Sequence, residues 1–243
     1  MLTYEEFSVV LDTIMQDNGQ GRFATKEYSR KFYLLTNHLL EVSKVMNLTA
    51  IKEEKAIILR HFADSLTVAE FLPSNAKIID VGCGAGFPCL PLAICRPDLA
   101  ITALDSTEKR IRYVNETAQL LELPNIQGIA ARAEEAGKSA LRESFDACVA
   151  RAVAELPVLS ELCIPFVRPD GVFLAMKATR ATEELEKACG AVSRLGGKVC
   201  AVHSVSLKSE SEQDSRAIIE IKKVSRTPAE FPRAFAKILK KPL

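Results

Sequence analysis

The sequence predicts an α/β protein: a doubly wound, mostly parallel, seven-stranded sheet with an N-terminal helical extension. Three observations carry this. After Pro73, short runs rich in Ile, Val and Ala alternate with segments of helical period. Those runs are apolar almost throughout, as strands covered on both faces are. Before Pro73 the patterns are helical only. The length of 243 residues, 48% of them hydrophobic and 26% charged, suits one large domain that buries its core without disulfides or metals.

A first short helix is expected over residues 4–17, and Gly19 and Gly21 separate it from a second. In the second, Tyr28, Phe32, Leu35, Leu39, Val42 and Val45 recur every three or four residues, one face of a helix. A third is expected from Glu53 to Phe71, with Leu59, Phe62, Leu66 and Ala69 inward and Pro73 ending it. Strands follow at 76–82, 101–105, 126–131, 145–150 and 171–176, with helices over Glu108–Leu121 and Thr182–Leu195. Strands at 198–207 and 215–224, joined by the polar SESEQDS, form an antiparallel hairpin. This divides the chain into a helical region at 1–72, a sheet domain at 73–225 and a basic tail at 226–243.

The net charge of +1 gives no overall pull toward nucleic acid or membrane. The final 23 residues nevertheless carry seven Lys/Arg and one Glu. That run is either a solvated tail or an arm for phosphates. Met1–Thr13 carries Glu5, Glu6 and Asp12 and lacks the basic start and apolar block of a signal peptide. No apolar run approaches the roughly 20 residues of a membrane span. Seven cysteines without a Cys-x-x-Cys pair, and three histidines, fit neither a zinc site nor a disulfide framework. A metal-free, cytoplasmic protein is expected.

The strongest local signal is Asp80-Val-Gly82-Cys-Gly84-Ala-Gly86, between the first strand and a helical segment. Glycines there let the backbone turn tightly and approach a ligand. A dinucleotide loop would space its third glycine one position later. Asp80 would repel a pyrophosphate but suits the sulfonium and ammonium of S-adenosylmethionine. Asp105, ending the second strand, can accept ribose hydroxyls from either ligand. The glycine spacing and Asp80 favour S-adenosylmethionine.

The fourth strand ends Asp146-Ala-Cys148-Val-Ala-Arg151 and lacks the Asn/Asp-Pro-Pro-aromatic element of amine methylation. Cys148 lies within the strand and reads as core. With no obvious general base, an acceptor without a proton to lose, such as guanine N7, fits. Arg151 can bind a carboxylate, a phosphate or guanine O6, or make a surface ion pair. His61, Asp64 and Ser65 share one flank of the third helix. They form either a packing cluster or, with Arg132 and Lys177, groups that position the acceptor.

The chain resembles the bacterial 16S rRNA guanine-N7 methyltransferases (RsmG, glucose-inhibited division protein B). The resemblance runs along most of the chain. It is carried by Asn47-Leu-Thr-Ala-Ile51, Arg60-His61-Phe-Ala-Asp64-Ser65-Leu66, the loop from Ile79 to Pro88, Asp105-Ser-Thr-Glu-Lys109-Arg110, Ala131-Arg132-Ala133-Glu134-Glu135, Arg151-Ala152 and Thr227-Pro-Ala-Glu-Phe-Pro232-Arg233. It implies a class I, Rossmann-like methyltransferase domain that methylates N7 of one guanine in the 530 loop of 16S rRNA. S-adenosylmethionine would meet Asp80, Gly82, Gly84, Gly86 and Phe87 in the loop, Asp105 at the ribose, Ala133 and Glu134 at the adenine, and Arg151. Lys109, Arg110, Arg233, Lys240 and Lys241 are the expected RNA contacts. The partner is 16S rRNA or the small ribosomal subunit, the protein a monomer. After Pro232-Arg233 the family continues with Gly and Pro, whereas this chain reads Ala234-Phe-Ala-Lys237.

Overall fold

Seven strands form one sheet in a computed structural model that describes residues 1–178, 181–208 and 213–243. They are β1 (Lys77–Val81), β2 (Ala100–Asp105), β3 (Ile126–Ala130), β4 (Phe145–Arg151), β5 (Val167–Lys177), β6 (Gly197–Lys208) and β7 (Gln213–Lys223). Their order is β3-β2-β1-β4-β5-β7-β6. β1 to β5 run parallel, and β7 pairs antiparallel with both β5 and β6. The expected hairpin is therefore present. Residues 209–212 of its polar loop lie outside the described residues.

The apolar strands feed two cores by simple alternation. Ile78, Ile101, Ala147, Leu174 and Ile218 face one side, and Ile79, Leu104, Cys148, Phe173 and Ile219 the other. The first side is covered by the N-terminal helices. α1 (Tyr4–Asp17) begins at a capping box of Thr3 and Glu6 and buries Phe7, Leu11 and Met15. α2 (Lys26–Val42) starts where the Thr25 hydroxyl accepts from Tyr28 N, and buries Phe32, Leu35 and Leu39. α3 (Glu54–Ile57) and α4 (Asp64–Leu66) are joined by a π-helical turn, Ile58–Ala63. α5 (Cys89–Cys95) and α6 (Glu108–Leu120) complete that side. α7 (Ala133–Ala136), α8 (Leu156–Cys163), α9 (Ala181–Arg194) and α10 (Phe235–Lys240) belong to the other.

Two expectations are corrected. The third helix does not run to Phe71; it ends at Leu66. The Thr67 hydroxyl donates to the Asp64 carbonyl at 2.7 Å, and the Arg96 guanidinium donates to the carbonyls of Ala69, Leu72 and Pro73. Side-chain bonds thus replace the helical ladder. Nor is the C-terminal segment a free arm. Phe231 and Ile238 are buried, and Arg142 donates to the carbonyls of Thr227, Pro228 and Phe231. Of its basic residues, Lys223 is sealed in by Glu143 and the carbonyls of Ile164 and Val167. No helix among the described residues is long and apolar enough to cross a membrane.

Candidate active site

The carboxyl ends of β1, β2, β4 and β5 meet at one edge, where this class of sheet binds ligands. β7, being antiparallel, brings its amino end to the same edge, with Ala217 opposite Lys177. Two cavities open there and share Ala152 and Val153 as a common wall.

The first cavity, about 260 Å3, lies over β1 and β2. Val81, Gly82, Leu104 and Asp105 form its floor, and Arg132, Ala133 and Glu134 line it beyond β3. Gly82 has φ 75°, and a Cβ there would lie 2.7 Å from Val153 Cγ2. Only glycine fits this turn and this approach. Gly82 N and Cys83 N both donate to the Leu104 carbonyl, which ties the loop to β2. The buried Asp105 accepts from Gly84 N at 3.0 Å and from Thr107 N at 2.8 Å. One side chain thereby fixes the glycine loop, the start of α6 and the cavity floor. Arg110 Nη1 stands 3.5 Å from the Asp105 carboxylate and lines the same cavity.

The remaining loop residues play supporting parts. Gly86 has φ 86°, and a Cβ there would overlap Leu90. Phe87 is buried, with the His61 ring stacked on it at 4.4 Å. Asp80, expected to face the donor's cationic groups, is fully buried beneath the loop and lines neither cavity. It lies on the α5 side of the sheet and accepts from Cys89 N at 3.1 Å. Its other oxygen has no partner, and burial raises its pKa to about 7. Its placement is that of a loop and helix support.

The second cavity, about 610 Å3, is walled by charge drawn from four distant stretches. Asp64 accepts from Arg151 Nη1 at 2.8 Å and from Arg216 Nε at 3.2 Å. Arg151 also donates to the Arg60 carbonyl and lies over the Phe87 ring. Lys177 pairs with Glu184 at 2.7 Å, and Glu184 in turn accepts from Leu156 N. His61 stands between Thr49 Oγ1 at 2.8 Å and the Arg151 guanidinium at 3.5 Å. Burial, and then the charge of Arg151, lowers its pKa to about 4, so the ring is neutral at pH 7. Of the acids lining this cavity, Asp64 and Glu184 are engaged by cations, and Glu155 is exposed at the rim.

The structure thus brings His61, Asp64, Arg151 and Lys177 together in the second cavity. It puts Gly82, Asp105, Ala133, Glu134 and Arg132 in the first. Arg110, expected at RNA, lines the first cavity as well. Arg233 is not presented to a phosphate: its guanidinium is clamped on the fully buried Glu161, with Nη2 2.6 Å from Oε2. Burying Glu161 without that partner would cost several kcal/mol. Lys109, Lys240 and Lys241 are exposed. Ser65 is buried and lines neither cavity. The sequence reading missed Arg216, Glu184 and Phe235, which no short motif contains. The antiparallel hairpin was the one available signal for Arg216.

The profile of the GidB family, rRNA small subunit methyltransferase G, matches residues 28–216. A Bacillus licheniformis protein named ribosomal RNA small subunit methyltransferase G is 48% identical over 199 residues, 80% of this chain and 82% of its own. Relatives of the same name from Oceanobacillus iheyensis (43% identical, 88% of this chain and 90% of its own) and Ligilactobacillus salivarius (42%, 93% and 95%) match over longer stretches. Among solved structures, M. jannaschii TYW2 in complex with AdoMet superposes with a TM-score of 0.54 at 17% identity, over 66% of this chain and 75% of that one. A SAM-dependent methyltransferase from Aquifex aeolicus gives 0.51 at 18% identity, over 68% and 92%. These two show a shared fold, the class I, Rossmann-like methyltransferase sheet.

Proposed function

The chain belongs to the rRNA small subunit methyltransferase G family, and from that premise we propose that it methylates N7 of one guanine in the 530 loop of 16S rRNA. It is an S-adenosylmethionine-dependent methyltransferase of small-subunit rRNA. The observation that carries the finer reading is the pair of adjoining cavities with Val153 between them. One has a buried carboxylate and a glycine floor for a nucleoside. The other is rich in arginine and lysine and holds no unpaired buried carboxylate.

The donor supplies a methyl group activated by a sulfonium, which takes the sulfur–carbon electron pair as it leaves. In the first cavity Asp105 accepts the ribose hydroxyls. Gly82 lets the backbone come close, and Ala133 and Glu134 flank the base. In the second cavity the guanine N7 lone pair forms the new N–C bond, and the ring takes on the positive charge. No proton moves. Neutral His61, with Phe87 stacked on its ring and Arg151 at its Nδ1, offers a flat wall rather than a base. Alignment of N7, methyl and sulfur is then the main contribution, and effective molarities make that sufficient. Guanine N7 is hidden in the deep groove of an A-form helix, so the base must be unpaired or turned out to enter. Arg151, Arg216 and Lys177 would orient its O6 or flanking phosphates, and Lys109, Lys240 and Lys241 would hold more distant ones. We place this activity in the cytoplasm, carried out by a monomer.

The test is methyl transfer from radiolabelled S-adenosylmethionine to 16S rRNA and to small subunits from cells lacking the modification. Chemical cleavage at N7-methylguanine then maps the product. A single break in the 530 loop is expected. Incorporation elsewhere, or none despite measured donor binding, rejects the assignment.

A further inference from the structure

The first cavity has one aromatic side chain in its lining, and it comes from the far end of the chain. Phe235 is the first residue of α10, beyond the sheet and within the stretch that reads as a basic tail. It is half-buried, resting on the core that holds α8 and facing the same cavity as Leu162, Ala131 and Ala133. The same lining includes Asp105, the carboxylate proposed for a ribose. A nucleoside held there by its sugar leaves its base to the apolar part of the lining, which Ala131, Ala133, Leu162 and Phe235 supply.

The backbone on both sides of Phe235 is held firmly. Two residues earlier, Arg233 bonds Glu161 through its backbone N at 2.8 Å and its guanidinium. Phe231 before it and Ile238 after it are buried. Arg142 holds the Phe231 carbonyl at 2.7 Å. A ring fixed in this way loses little entropy on meeting a ligand, and flat bases pack well on aromatic faces. This also gives the buried Glu161–Arg233 pair a purpose beyond stability.

We propose that Phe235 is a donor-binding residue, the aromatic wall against which the adenine of S-adenosylmethionine packs. The C-terminal segment is then part of the donor site, and not only a surface for RNA. This rests on the reading of the first cavity as the donor site.

The chain contains no tryptophan, so Phe235→Trp introduces the only indole. Its fluorescence should change saturably on adding S-adenosylmethionine, with the dissociation constant that calorimetry gives for the same variant. Calorimetric binding without a fluorescence change overturns the proposal. A second variant, Phe235→Ala, should lose on the order of tenfold in affinity, with Phe235→Leu intermediate. The loss should be equal for 5′-methylthioadenosine, which keeps the adenine but lacks the amino-acid end. Loss for S-adenosylmethionine alone would move the ring away from the base. A lowered melting temperature without the donor, at unchanged donor affinity, would make Phe235 merely an anchor and overturn the proposal. Failure of the wild-type chain itself to bind S-adenosylmethionine would reject the donor site as a whole.

Discussion

The two cavities stand side by side at one sheet edge, yet they are built by opposite means. The floor of the first is set by backbone: a loop with three glycines at positive φ, of which Gly82 lines the cavity, and one carboxylate that bonds the loop N–H of Gly84 and that of Thr107. The second is made of side chains, with Asp64 joining Arg151 to Arg216 and Lys177 joining Glu184. A small ligand of fixed shape suits the first kind of site. A large polyanion that must be gripped and turned suits the second. The lesson is that a single fold can position one substrate by local chain geometry and the other by long-range ion pairing. Damage to the two should therefore separate cleanly.

The largest separation is expected from Asp105→Ala. Losing the carboxylate that bonds the loop, and for which we propose the ribose contact, should cost about 2–4 kcal/mol of donor binding, while RNA affinity stays within a few-fold. Calorimetry with the donor and filter binding with RNA give the two numbers. Equal losses would mean that Asp105 merely holds the fold.

Asp64→Ala should act on the other side. It removes the acid that Arg151 and Arg216 share, leaving Arg151 on the Arg60 carbonyl and Arg216 on Asp214; breaking a fully buried pair costs about 3–5 kcal/mol, and this partly open site less. Methyl transfer at saturating donor should fall on the order of a hundredfold, with donor affinity almost unchanged. A parallel rise in the donor dissociation constant would show that the cavities are coupled.

The response to pH adds a second contrast, because His61 in the second cavity and Asp80 buried beneath the glycine loop are perturbed in opposite senses. His61 is lowered to about 4 in the folded chain by burial and Arg151, so the unfolded chain binds the extra proton. Its contribution is present above pH 6.5 and is lost as pH falls toward 4. Asp80 is raised to about 7 by burial, so the folded chain binds the extra proton. Its contribution is present below about pH 4 and is lost as pH rises through 7. Each effect is at most on the order of 3–4 kcal/mol. Urea unfolding of Asp80→Asn should show a steeper gain in stability from pH 4 to 7 than the parent. An unchanged profile would rule out titration of Asp80.

The smallest effect belongs to the surface. Lys240→Glu with Lys241→Glu should weaken RNA binding a few-fold and reduce its salt slope by about 1–2, without touching the donor. An unaltered slope removes α10 from the RNA contact.

The difference in construction also explains what could be read in advance. All seven strands were legible: β1, β2 and β4 because strands covered on both faces are apolar almost throughout, and the half-exposed hairpin of β6 and β7 because a polar loop divides two strand-like runs. Gly82 and Asp105 were legible because they lie at strand ends in short contiguous motifs, and Ala133 and Glu134 through the family resemblance; all four line the first cavity. The π-helical turn at Ile58–Ala63 was not, since a helical period cannot register one wider turn. Arg216 was hidden because its neighbour Asp64 is 152 residues away. Asp80 was read by its charge, whereas depth in the sheet governs its behaviour. Phe235 and Arg233 were hidden inside a stretch whose net charge suggested solvent.

Both cavities are finished late along the chain. Arg216 and Ile218 line the second and Phe235 lines the first, all beyond residue 213. A nascent chain has most of its sheet strands before it has either complete pocket. An emerging chain thus gains the full lining of the first cavity only after its last sheet strand has followed the other six. Stalled chains ending before residue 213 should retain no labelled S-adenosylmethionine, and released full-length chains should.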